Sequence, residues 1–81
     1  MLKIYGSMQC PDCVQCKQDL DKAGVPYTFF EFSESLLNLK TFLCYRDSLP
    51  VFAQVKESGS IGIPCIVDEN GSVSLDWEQY L

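Results

Sequence analysis

The sequence contains no histidine. Nucleophilic catalysis by a Cys–His pair is therefore excluded, as is metal binding through imidazole. Positive charge is scarce. The six basic residues, Lys3, Lys17, Lys22, Lys40, Arg46 and Lys56, are scattered along the chain, and eleven acidic residues leave a net charge of −5. Nucleic acid and anionic membrane surfaces both need clustered Lys and Arg, so neither is an expected partner. No apolar run approaches the roughly 18 residues of a membrane span. Lys3 interrupts the N-terminus and no apolar segment follows it, so no signal peptide is expected and the chain reads as cytoplasmic. There is no Gly-rich phosphate-binding loop, no repeat, no low-complexity tract and no linker. With 81 residues, one domain over 1–81 is expected, and a monomer is the expected assembly. A domain of this size buries only about 60–65% of its unfolded surface, enough for a shallow surface site but not for a deep cofactor cavity.

What is present is a composition that folds, 47% hydrophobic and 21% charged, and five cysteines, Cys10, Cys13, Cys16, Cys44 and Cys65. In a reducing compartment cysteines serve catalysis or metal binding, or are simply buried, more often than they cross-link. The odd count also fits poorly with a fully paired disulfide framework.

The pattern predicts alternating elements. Leu2–Tyr5 reads as a strand broken by Gly6 and Ser7. A helix is expected from Cys10–Pro11, because proline is favoured at the first helical position, to about Lys22, with Gly24 and Pro26 ending it. Cys13, Cys16, Leu20 and Ala23 form its apolar stripe. Tyr27–Phe32 is an aromatic strand, with Phe29, Phe30 and Phe32 expected in the core. Ser33 or Ser35 caps a second helix whose inward positions are Leu36, Leu39, Phe42 and Leu43. Pro50 opens a short third helix carrying Val51, Phe52 and Val55, which Gly59 ends. Ile63–Val67 is the third strand, and the Glu69-Asn70-Gly71 turn leads to a fourth with Val73 and Leu75. Asp76 and Gln79 suit a capping box for a last short helix, on which Trp77, Tyr80 and Leu81 pack against the sheet. The order β-α-β-α-(α)-β-β-α implies an α/β fold. A right-handed β-α-β unit makes the first two strands parallel, and the final hairpin adds antiparallel partners. The result is a mixed four-stranded sheet flanked by helices.

The chemistry concentrates in Cys10-Pro11-Asp12-Cys13. Two cysteines three apart at a helix start can close a disulfide across one turn. The free N–H groups and the dipole at that end favour negative charge, so Cys10 reads as the attacking sulfur and Cys13 as the resolving one. Pro11 fixes the backbone and removes an N–H that would be unpaired anyway. Asp12 opposes the dipole, and the residues alone leave that balance open. A C-x-x-C pair also serves zinc and iron–sulfur sites, and Cys16 extends it to C-x-x-C-x-x-C. A second signal is Ile63-Pro64 at the head of an apolar strand. Proline there costs a ladder bond. A cis peptide bond facing the cysteine pair is the expected reason, and an ordinary trans proline at a strand start is the alternative.

On these residues the chain resembles the glutaredoxin branch of the thioredoxin-fold superfamily, and most of all the small bacterial glutaredoxin-related proteins. The resemblance rests on CPDC after the first strand, Gly62-Ile63-Pro64 before the third, and the Asn70-Gly71 turn into the fourth. It covers nearly the whole chain. It implies a thioredoxin-like fold and thiol–disulfide exchange, with Cys10 as nucleophile and Cys13 as resolving thiol. It further implies a substrate platform built from Pro11, Asp12, Ile63 and cis-Pro64. Substrates would be small thiols or protein disulfides, with glutathione as co-substrate and no resident cofactor or metal. The chain departs from the family pattern in four places. Asp12 replaces an aromatic, Gly62-Ile63-Pro64 replaces T-V-P, no Gly pair precedes Asp76, and Met8-Gln9 rather than a lysine precedes Cys10. These departures bear on glutathione, not on thiol exchange.

The remaining cysteines read as structural. Cys16 shares the stripe of Leu20 and Ala23, Cys44 is structural or partly exposed, and Cys65 points away from the chemistry because strand side chains alternate. Two rival functions stay open. One is a zinc or iron–sulfur module on the Cys10, Cys13 and Cys16 run, with or without Cys65 as a further ligand, and the other is a non-enzymatic redox sensor with the same fold.

Overall fold

A computed structural model of the protein describes all residues from Met1 to Leu81. Its elements are β1 (Leu2–Gly6), α1 (Pro11–Lys22), β2 (Tyr27–Glu31), α2 (Leu36–Ser48), a 3₁₀ turn (Pro50–Phe52) running into α3 (Ala53–Glu57), β3 (Cys65–Val67), β4 (Val73–Ser74) and a closing 3₁₀ turn (Trp77–Tyr80). The four strands form one mixed sheet in the order β2-β1-β3-β4. β1 runs parallel to β2 with Leu2 opposite Tyr27, and antiparallel to β3 with Ile4 opposite Ile66. β3 and β4 are antiparallel. The expected α/β architecture is present. No helix is long and apolar enough to cross a membrane.

Alternation along the strands divides the core in two. Leu2, Ile4 and Ile66 face α1, where they meet Cys16 and Leu20, with Trp77 and Tyr80 of the closing turn beside them. Tyr5, Cys65 and Val67 face the other way, onto Phe42 of α2 and Phe52 of the 3₁₀ turn. The indole of Trp77 also donates to Asp19 of α1 at 2.9 Å, which holds the closing turn on that helix.

Several expectations need correction. Leu36 is 77% exposed and Leu43 also lies at the surface, so α2 buries only Phe42 fully and Leu39 in part. Its leucines follow helical spacing, but the helix turns that row past the sheet rather than onto it. Phe29, Phe30 and Phe32 do pack against the two cores but stay half-buried, the first two because β2 is an edge strand. β3 begins at Cys65, two residues later than expected, since Ile63 and Pro64 lie outside the ladder. β4 stops at Ser74, so Leu75 is not paired. Asp76 caps the last turn by accepting from Glu78 N–H at 3.0 Å, but Gln79 donates to the Asp76 carbonyl instead of completing a capping box. Leu81 is exposed rather than packed.

Candidate functional site

β1 ends at Gly6 and the chain turns through Ser7–Gln9 into α1. Cys10 is the N-cap residue, with extended backbone, and Pro11 opens the helix. The Cys10 N–H bonds back to Ser7 O at 3.0 Å, and its carbonyl accepts from Val14 N–H at 3.1 Å. No side chain caps the helix, so the N–H groups of its first turn keep their capacity for negative charge at this position. Cys10 is half-exposed while Cys13, one turn on, is fully buried, and all five cysteines are free thiols.

Burial pushes the Cys13 thiol up to about 12. The Ser7 backbone pulls the other way, and neighbouring Cys10 and Cys16 add to the rise. Burial likewise pushes Cys16 and Cys65 up to about 12. Cys16 lies in the α1-side core, as its stripe predicts, Cys65 lies in the opposite core, and Cys44 is exposed. Cys65 is thus across the sheet from Cys16, and no group of three or more Cys, Asp or Glu side chains converges in a way that could hold a metal ion.

Three residues shape the site in ways the sequence pattern did not single out. Gly6 is one: a Cβ there would lie 2.6 Å from the Cys13 Sγ and 3.5 Å from the Phe29 ring, so a bare backbone is what makes room for the Cys13 thiol. Glu31, at the end of β2, is only 8% exposed. Its carboxylate accepts from Met8 N–H at 2.7 Å and Ser33 N–H at 3.2 Å, tying the loop before Cys10 to the sheet. Burial raises the Glu31 pKa, but the donors from Met8, Ser33 and Ser7 outweigh it and hold the carboxyl below its ordinary value. The available signal was alternation, which puts Glu31 on the inward face with Tyr27 and Phe29. Arg46 of α2 is the third. Its guanidinium donates to the carbonyls of Ile61 at 2.7 Å and Ser60 at 2.8 Å, fastening the segment before β3 to the helix.

That segment faces Cys10. The Ile63–Pro64 peptide bond is cis. Gly62 has φ +95°, and a Cβ there would come within 2.9 Å of the Phe52 ring, so only glycine lets the segment lie against that core side chain. The backbone N–H and C=O groups of Gly62 and Ile63 enter no hydrogen bond within the chain. Two shallow clefts flank the segment, and Cys10 and Ile63 line both. One, of about 340 Å³, is walled by Phe32, Leu39, Ile61 and Ile63. The other, of about 300 Å³, is lined by Asp12 and by the Gly59–Ile63 stretch. Of the expected site residues, Cys10, Asp12 and Ile63 therefore meet at one surface. Cys13 lies beneath it, Pro11 is exposed at the helix start, and Pro64 is buried at the head of β3 outside both clefts.

No family model matches the chain, and no solved structure matches it. A protein of Haemophilus influenzae, described as an uncharacterized protein, is 43% identical to it over 73 residues, which cover 90% of this chain and 85% of the relative.

Proposed function

The chain belongs to one family with this Haemophilus influenzae protein, and for it we propose a glutaredoxin-like thiol–disulfide oxidoreductase of the thioredoxin fold. The observation that carries the reading is the pairing of a half-exposed Cys10 at an uncapped helix start with a buried, protonated Cys13 one turn on. In the proposed cycle, the Cys10 sulfur attacks one sulfur of a substrate disulfide. The substrate S–S bond breaks, a mixed disulfide forms on Cys10, and the second substrate sulfur leaves as a thiolate. The first-turn N–H groups of α1 offset charge as it develops on Cys10. Cys13 then gives up its proton to the departing sulfur and attacks Cys10. The products are a Cys10–Cys13 disulfide and a substrate dithiol, with two electrons passed from protein to substrate. An external thiol reductant restores the pair by the reverse exchange. The free backbone groups of Gly62 and Ile63 are available to align a substrate chain beside Cys10.

The test is equilibration of the purified protein in thiol redox buffers, with thiols mapped by mass spectrometry. A reversible Cys10–Cys13 bond with a potential of roughly −270 to −200 mV is expected, with mixed disulfide trapped on Cys10 in Cys13→Ser and exchange lost in Cys10→Ser. Failure of that bond to form would overturn the reading.

A further inference from the structure

The surface around Cys10 has a chemical character that the exchange reaction does not require. The larger cleft is walled by four apolar side chains, Phe32, Leu39, Ile61 and Ile63. Ile61 is 58% exposed there, and Met8 in the loop leading to Cys10 is also exposed. Leu36, Leu39 and Leu43 lie at i, i+3 and i+7 of α2, which sets them in one row on the helix. Because Leu39 walls the cleft, that row carries its apolar surface outward along α2 through the exposed Leu36 and Leu43. A small chain has little apolar surface to spare, and a continuous patch beside a reactive atom marks a contact surface. Charge points the same way. No Lys or Arg lines either cleft, Asp12 lines the second, and the chain carries a net charge of −5. Arg46, the cation bonded to this segment, has its guanidinium committed to the Ser60 and Ile61 carbonyls. A carboxylate brought into either cleft would meet no Lys or Arg in its lining.

We infer that the substrate of this site is a polypeptide disulfide whose reacting cysteine is flanked by apolar side chains and not by carboxylates, rather than glutathione disulfide. This rests on the proposed oxidoreductase reading and names its substrate class. The apolar neighbour would fill the cleft between Leu39 and Ile61 while the α2 leucines cover the next turn of the partner. The reaction is the exchange already described: the substrate disulfide is reduced and the Cys10–Cys13 dithiol oxidised.

The experiment compares the reduced full chain against four disulfides: dithiodiethanol, glutathione disulfide, a symmetric peptide disulfide with Leu on both sides of each Cys, and the same peptide with Glu in those places. The expected result is that the second-order rate constant for oxidation of the reduced chain by the Leu peptide exceeds that for glutathione disulfide by about tenfold or more, and that the Glu peptide drops to the glutathione level. Leu36→Asp alters a side chain that is already exposed, and it should lower the ratio of Leu-peptide to dithiodiethanol rates roughly fivefold. Equal or faster reaction with glutathione disulfide, or an unchanged ratio in Leu36→Asp, would overturn the inference while leaving the oxidoreductase in place. Absence of reaction with every disulfide, dithiodiethanol included, would overturn the oxidoreductase reading and the inference together.

Discussion

On one face of the sheet, Leu2, Ile4 and Ile66 pack with Cys16 and Leu20 of α1; on the other, Tyr5, Cys65 and Val67 pack with Phe42 of α2 and with Phe52. The first core is aliphatic apart from Cys16. The second is joined by aromatic contacts, Tyr5 on Phe30 at 4.9 Å, Phe32 on Phe42 at 5.2 Å and Phe42 on Phe52 at 5.9 Å between ring centroids. α1 commits Cys13, Cys16 and Leu20 to the interior and acts through its N-terminal end, where Cys10 stands. α2 commits only Phe42 fully, since large rings fill that side without help from the leucines. It is therefore free to present an apolar flank beside Cys10. In the proposed exchange, one helix supplies the attacking sulfur and the other the surface around it.

Alkaline titration tests the buried thiols of both faces and should have the largest effect. Cys13, Cys16 and Cys65 are raised from 9.0 to about 12. Between those values the unfolded chain sheds thiol protons that the folded chain retains, so folding stability, intact below pH 9, falls as pH rises. Each thiol contributes a slope of up to about 1.4 kcal/mol per pH unit. Urea unfolding under reducing conditions measures it. Cys16→Ala on one face and Cys65→Ala on the other should each flatten the fall, and an unflattened curve in either would mean that its thiol ionises in place.

Next comes the division within α2. Phe42→Ala should cost about 3–5 kcal/mol, whereas Leu36→Ala should change stability by no more than about 0.5 kcal/mol. Comparable losses for the two would show that the leucine row belongs to the core and would remove the flank.

The smallest effect concerns the α1 face. Gly6→Ala should destabilise by about 1–3 kcal/mol through its collision with Cys13. Most of that loss should vanish in a Cys13→Ala background, so a double-mutant cycle with no coupling would separate Gly6 from the thiol.

Much of this was legible from local pattern. Proline at the helix start, the apolar stripe and the Asn70-Gly71 turn each report on a few adjacent residues and lie where short-range geometry puts them, except that the stripe ends at Leu20 and its expected last member, Ala23, is exposed at the helix C-cap. The leucines of α2 were misread for a physical reason: spacing tells which residues share a helical face, not which way that face turns. Leu36 and Leu43 differ from Phe42 only in what stands opposite them. Gly6 and Glu31 were not singled out because their roles exist only across elements, Gly6 against Cys13 of the following helix and Glu31 against the loop that carries Met8.

The sequence by itself determined the order of elements, the cysteine pair at the start of α1 and the exclusion of histidine chemistry, since these depend on residue identity and near neighbours along the chain. Only the tertiary structure decided that Cys65 lies across the sheet from Cys16, that Arg46 fastens the Ser60–Ile61 segment, and that apolar side chains from β2's end, α2 and that segment converge beside Cys10. Those relations join residues far apart in the chain, and they come into being only when the sheet closes and both helices dock on it.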